Sequence, residues 1–477
     1  MRMLIAGGRV VTSTGARDAD VLVDGETIAA IIDREPPRDN PSVSGPARVG
    51  PARADRIIDA TRRLVLPGGV DPHTHLDLPV GGGVVSSDDF ETGTIAAACG
   101  GTTTIIDFPT QARGGSLAEA LETWHARAAG RAVIDYGFHM IVSDLTPAAG
   151  RELAVVVRDG VTSLKLFMAY PDRLMLDDGA IFRAMEISRD LGAIVCLHAE
   201  NGHVVDALVR GAVAAGHTAP RYHAATRPPE VEAEAVQRAI TLASLARCPL
   251  YIVHVSTARA TVHIAEARRR GTAVYGETCP QYLCLDESAY ERDLMEAAKY
   301  VMSPPLRPRW MQAWLWEALE QADLQAVGTD HCPFWLRDKA RGRDDFSKMP
   351  NGAPGIEHRL ALLYDRGVRA GRLSWPRLVD VFAAAPARIF GLYPKKGTLE
   401  PGSDADVVVF DPGTHRTIST ATHRMRVDCD PYEGFEVEGA VETVVARGEV
   451  IVERGTFVGR AGRGTFLRRA PHPPPRG

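Results

Sequence analysis

Six residues combine a metal-binding or ionisable side chain with an apolar, strand-like setting: His73, His75, Lys165, His198, His254 and Asp330. In an extended chain, residues i and i+2 point the same way, so His73 and His75 could present both imidazoles to one cation. Neutral imidazole suits zinc and related first-row metals, with cobalt and manganese able to share such ligands. Lys165 lies in Ser163-Leu164-Lys165-Leu166-Phe167-Met168, too apolar for a solvated face. An isolated buried ammonium is costly, so this lysine should have a depressed pKa or a modified side chain. A neutral amine can react with carbon dioxide to give a carbamate, a bidentate anion able to bridge two metals. Four imidazoles, one carboxylate and one carbamate then make six ligands for two divalent cations, leaving room for a bridging hydroxide. Taken singly, each residue has a plainer reading: a core histidine, an aspartate capping the next helix, or a lysine snorkelling to a rim.

The elements that would position these residues read as alternating strands and helices. Eight apolar strand-like runs occur at 64–70, 102–107, 133–142, 161–167, 193–198, 250–255, 273–277 and 324–329. Stretches with 3.6-residue spacing lie between them, at 117–129, 181–191, 231–246, 261–269 and 311–322. This pattern predicts an α/β protein with a (β/α)8 TIM-like barrel over residues 67–396 and an active site at the carboxyl ends of its strands. A doubly wound open sheet is the alternative, but Gly81-Gly82-Gly83 matches no phosphate-loop pattern.

Residues 1–66 and 397–460 both read as short strands with turn punctuation, Asp24-Gly25 and Arg447-Gly448-Glu449 among the turns. Each piece is too small to bury much alone, so together they predict one composite β-domain. The segment Pro36 to Ala54 reads as a surface excursion without a packed core. Residues 461–477 form an Arg- and Pro-rich tail, either solvated or docking Thr465-Phe466-Leu467 on a neighbouring subunit.

At 477 residues, with 45% hydrophobic and 24% charged residues, the composition is globular and large enough for at least two structural units. A formal net charge of -5 argues against a nucleic-acid binder. Seven cysteines without regular spacing read as reduced thiols of a cytoplasmic protein. There is no signal-peptide pattern and no apolar run of membrane-spanning length.

Several further motifs make the chain recognisable: His73-Thr74-His75-Leu76-Asp77-Leu78-Pro79, Ser87-Asp88-Asp89-Phe90-Glu91-Thr92-Gly93-Thr94 and Gly100-Gly101-Thr102-Thr103-Thr104. His198-Ala199-Glu200-Asn201, His254-Val255-Ser256, Gly276-Glu277-Thr278-Cys279-Pro280, Gly328-Thr329-Asp330-His331-Cys332 and Pro350-Asn351-Gly352 follow in order. Together they resemble the hydantoinase and dihydropyrimidinase family of cyclic amidohydrolases over essentially the whole chain except 36–54 and the final residues. The resemblance implies a (β/α)8 barrel with a β-sandwich built from both chain ends, and a homotetramer with a dimer as the alternative. It implies that His73, His75 and Asp330 hold the more buried metal and His198 and His254 the more exposed one, with carboxylated Lys165 bridging both. Tyr170 would donate to the oxyanion, and Ser303 and Asn351 would hydrogen-bond the amide edge of the substrate. Without the resemblance these three read as a rim aromatic, a residue before Pro304-Pro305 and a plain turn. The implied reaction opens the cyclic amide of a hydantoin or dihydropyrimidine by a metal-bridging hydroxide, giving an N-carbamoyl amino acid. Dihydroorotase commonly carries an arginine where this chain has Asp77, and allantoinase an Asn-Glu-Pro where it has Asp77-Leu78-Pro79, so both are disfavoured alternatives. Dihydropyrimidinase-related scaffolding proteins lack metal ligands, whereas all six positions are filled here.

Overall fold

The computed structural model describes residues 1–34 and 54–472, so all of the expected 36–54 excursion except Ala54 lies outside the described residues. Eight parallel strands form the barrel: Gly69–Thr74, Thr102–Asp107, Asp135–Phe138 continuing as Met140–Ile141, Ser163–Phe167, Ile194–His198, Leu250–Ile252, Val274–Thr278 and Ala326–Val327. Consecutive strands pair in parallel register, for example Lys165 opposite Cys196 and Phe167 opposite His198. Between the last strand and the first, a side chain completes the circle: Asp71 accepts from Thr329 N at 3.1 Å and Thr329 Oγ1 at 2.7 Å. Helices between the strands begin at side-chain caps, as where Ser116, Asp177 and Thr257 accept from backbone N–H groups of the first turn.

The two chain ends meet in a ten-stranded sheet. Its seam pairs Leu64–Pro67 antiparallel with Val407–Thr417, placing Val65 opposite Val409 and Leu66 opposite Val408. Side chains alternate across this seam. Val65, Val407 and Val409 pack with Met3, Ile5, Val21 and Val23 in the sandwich interior, while Leu64, Leu66, Val408 and Phe410 join the core shared with the barrel.

The run 64–70 is therefore not one barrel strand. It divides at Gly68, whose N–H donates to Asp406 O of the sandwich, whereas the Gly69 N–H donates to Gly101 O of the barrel. A Cβ on Gly68 would collide with the Thr103 side chain. Residues 461–472 of the tail lie against the barrel of their own chain, with Phe466 bridging Tyr136 and Leu467 N donating to Tyr136 O at 2.7 Å. The physical reason is an aromatic pocket: Phe466 packs on Phe138, Tyr136 and His125 at ring-centroid distances of 5.4, 6.0 and 4.6 Å.

Candidate active site

Of the nine residues singled out above, His73, Lys165 and His198 lie within barrel strands and the other six in the loops that leave them. All nine line one cavity of about 820 Å³. His73 is 1% exposed and His75 9%, and Asp330 Oδ1 stands 3.2 and 3.3 Å from their Nε2 atoms. Separations near 3.3 Å are what four-coordinate geometry with bonds of about 2.1 Å requires between ligand atoms. Among the described residues these three form a metal-compatible group. His254 lies beside them, its ring centroid 5.5 Å from His73 and 4.5 Å from His198. Lys165 Nζ sits between the rings of Phe108 and Phe167, 5.2 Å from each centroid.

Backbone geometry helps aim three of these side chains. Tyr170, His254 and Asp330 have φ of 66°, 41° and 50°. Left-handed non-glycine residues cost of order 1–3 kcal/mol each and cluster where function over-determines the chain.

The electrostatics suit cation binding. Burial pushes His73 and His254 well below the ordinary imidazole pKa and lowers His198 too, so all three are neutral near pH 7, the form in which imidazole can bind a metal. Burial lowers Lys165 to about 8, opposed by Asp330. Burial alone would raise Asp330, but His73 and His75 outweigh it and hold the carboxyl below its usual range. His73 Nε2, one of the nitrogens that faces Asp330, is buried without a hydrogen-bond partner, which is costly unless a bound group satisfies it. Donor set and orphaned nitrogen together fit a metal.

The sequence reading missed the groups that orient these ligands. Glu277 contacts His73 Nδ1, accepts from Tyr251 OH at 2.9 Å and from His254 N at 3.3 Å. Glu200 bonds His198 Nε2 at 2.7 Å and pairs with the buried Arg227 at 2.7 Å. Such carboxylate–histidine pairs fix which ring nitrogen faces a metal. Asp107 accepts from Thr74 Oγ1 and Leu76 N, pinning the backbone around His75. Lys339 donates to Val301 O, Pro350 O and Gly352 O at 2.7–2.8 Å, fixing the loops that carry Ser303 and Asn351. Both glutamates stand inside motifs quoted above, Glu200 two residues after its histidine, so their positions were visible although their partners were not. Asp77 is not at the cavity wall; its carboxylate turns to Arg131, 3.6 Å away.

The amidohydrolase family pattern matches residues 64–451. The D-hydantoinase of Geobacillus stearothermophilus is 50% identical over 472 residues, 98% of this chain and 97% of that protein. The chain belongs to the hydantoinase and dihydropyrimidinase family of amidohydrolases. The crystal structure of dihydropyrimidinase from Brevibacillus agri superposes with a TM-score of 0.94 at 50% identity, covering 99% of each chain. An L-hydantoinase (dihydropyrimidinase) from Arthrobacter aurescens is more distant, at 32% identity and a TM-score of 0.87 over 98% of this chain and 99% of that one. The chain is thus a cyclic amidohydrolase of a metal-dependent family, with a TIM barrel and a β-sandwich. No helix among the described residues is long and apolar enough to cross a membrane.

Proposed function

We propose that this enzyme hydrolyses the ring amide of hydantoins and dihydropyrimidines, releasing N-carbamoyl amino acids. The observation that carries the reading is the convergence of all six ligand residues with Tyr170, Ser303 and Asn351 on one cavity. His73, His75 and Asp330 would hold one divalent cation and His198 and His254 another, zinc being the first choice, with carboxylated Lys165 between them. When bound, the two cations would supply Lewis-acid polarisation of the ring carbonyl and lower the pKa of a water.

The protein's own groups do the rest. Lys165 first gives up its ammonium proton; the neutral Nζ then attacks carbon dioxide and releases a second proton, so that with two protons lost the buried cation is replaced by a carbamate anion. Tyr170 stays protonated because burial raises its pKa, and its hydroxyl donates to the carbonyl oxygen as negative charge develops there. Asp330, held anionic, takes the proton from the attacking water and returns it to the departing ring nitrogen. Ser303 Oγ, buried beside the Tyr170 hydroxyl, would bond the amide edge of the ring next to Asn351. Glu277 and Glu200 keep His73 and His198 oriented throughout.

Rates on hydantoin, racemic 5-substituted hydantoins, dihydrouracil, allantoin and dihydroorotate test the substrate class. Ring opening of the first three is expected, with the 5-substituted hydantoins giving the D product in keeping with the D-hydantoinase relative; a dominant rate on dihydroorotate would overturn the reading. We further read the enzyme as a cytoplasmic homotetramer. All seven cysteines are free thiols, and Trp310 and Trp314 are exposed on one helix face, apolar surface of the kind a subunit interface covers. Light scattering giving a monomeric mass would exclude the assembly.

A further inference from the structure

The tail enters the underside of the barrel, and one of its side chains reaches the strand that carries Lys165. Arg469 is 4% exposed. Its Nη2 donates to Phe138 O and, at 2.7 Å, to Ser163 Oγ. Ser163 stands two residues before Lys165 on the same strand, so the two share a face. The Ser163 hydroxyl contacts His139 Nδ1, and His139 Nε2 bonds Pro72 O at 3.0 Å, the residue before His73. Above His139 stands Phe108, 4.9 Å away between centroids, and Phe108 in turn carries His73 and His75, each at 4.8 Å. A continuous column therefore runs from the C-terminal tail through the barrel interior to three of the ligand residues.

Arg469 is an expensive way to fill this space. Its Nε and Nη1 are buried without partners, and no carboxylate pairs with it among the described residues. Phe466 and Leu467 would anchor the tail without it. In some proteins a charge buried at such cost is retained because its hydrogen bonds fix one geometry.

We propose that Arg469 is a positioning residue: through Ser163 and His139 it sets, from below, the placement of Lys165 and His73 for metal binding. The inference rests on the metal-site reading above. That reading is tested independently by the parent enzyme, which must hold two metals and a carboxylated Lys165.

The experiment compares full-length Arg469→Met, Ser163→Ala, the double variant and Arg468→Ala by metal content per chain, mass of the native protein for the carboxyl group on Lys165, melting temperature, kcat and KM. Arg468, whose exposed guanidinium donates to Arg158 O, is a tail contact outside the column and should behave as the parent. Arg469→Met and Ser163→Ala should each bind metal about 10–100-fold more weakly and lose kcat with KM little changed. The double variant should be no worse than the poorer single one, because both break the same link. Two metals, carboxylated lysine and parental kcat in both single variants would overturn the proposal. So would losses that only track the fraction unfolded while folded protein keeps two metals. Should Arg469→Met fail to fold, Ser163→Ala, which removes one hydroxyl, decides alone. A parent enzyme without metals would instead count against the metal-site reading.

Discussion

Lys165 shows how one residue type in one setting dictates chemistry. A lysine flanked by Leu164 and Leu166 on a central strand is legible as anomalous from sequence, and the fold places it 1% exposed with its pKa lowered to about 8 by burial. Only the neutral amine takes up carbon dioxide, and 1.5 pH units below a pKa of about 8 only about a thirtieth of the amine is neutral. Reloading of metal-stripped enzyme with zinc and bicarbonate should therefore be much faster at pH 8.5 than at pH 6.5; equal rates, or reloading without bicarbonate, would contradict a carboxylated bridge. The other five candidate metal-binding residues were legible for the same reason, each being a polar residue at the end of an apolar run. Glu277 was not, because its value lies in contacts with His73 and Tyr251, 204 and 26 residues away. Glu277→Gln keeps the shape but gives up the carboxylate that orients His73, so zinc affinity should fall by about 10–100-fold with little change in fold. Competition with a chelator would measure it, and unchanged affinity would remove Glu277 from the site. Asp330→Asn should do the reverse, lowering kcat more than metal occupancy, because the lost group is the proposed proton carrier.

At the scale of elements, periodicity located the barrel strands and five helices to within a few residues, since local pattern determines local conformation. It failed at 64–70, where four apolar residues of a sandwich strand run directly into a barrel strand. Nothing local distinguishes the two halves; what changes at Gly68 is the partner, Asp406 before it and Gly101 after it. The alternation Leu64, Val65, Leu66 serves two cores at once. Gly68→Ala would drive a methyl group into Thr103 exactly where the first catalytic strand begins, and overpacking of this kind costs about 1–3 kcal/mol. Denaturant unfolding should show that loss, with partial recovery in the Gly68→Ala, Thr103→Ala pair; a parental midpoint would mean the backbone yields freely at this junction.

For the whole molecule, one buried ionic cluster joins the parts. Lys396 Nζ bonds Asp135 Oδ2 at the base of the barrel at 2.7 Å, and Asp404 and Asp406 at the edge of the sandwich at 2.9 Å each. Arg447 adds a contact to Asp135 at 3.1 Å, and Thr465 N of the tail donates to Asp135 at 2.9 Å. These partners lie up to 330 residues apart, so no sequence pattern announced them, and the tail's docking on its own barrel went unforeseen for the same reason. Burial would raise Asp135, but Lys396 and Arg447 outweigh it and hold its pKa down, while the three carboxylates raise Lys396 above its ordinary value. The signs follow from linkage. Asp135 contributes stability that is fully present above its unfolded pKa of about 3.9 and is lost as pH falls through the lower folded value. Lys396 contributes below its unfolded pKa of about 10.4, and that contribution is lost only as pH rises through the higher folded value. The junction is thus intact across the neutral range and fails at the extremes. Lys396→Met leaves three carboxylates facing one another without their shared cation, and breaking a buried pair costs about 3–5 kcal/mol. The pKa of Asp135 should then rise, so acid unfolding of Lys396→Met should begin at higher pH than in the parent enzyme. Melting temperatures from pH 4 to pH 9 would show it; a uniform drop with no displacement of the acid limb would mean the cluster acts by packing and not by charge.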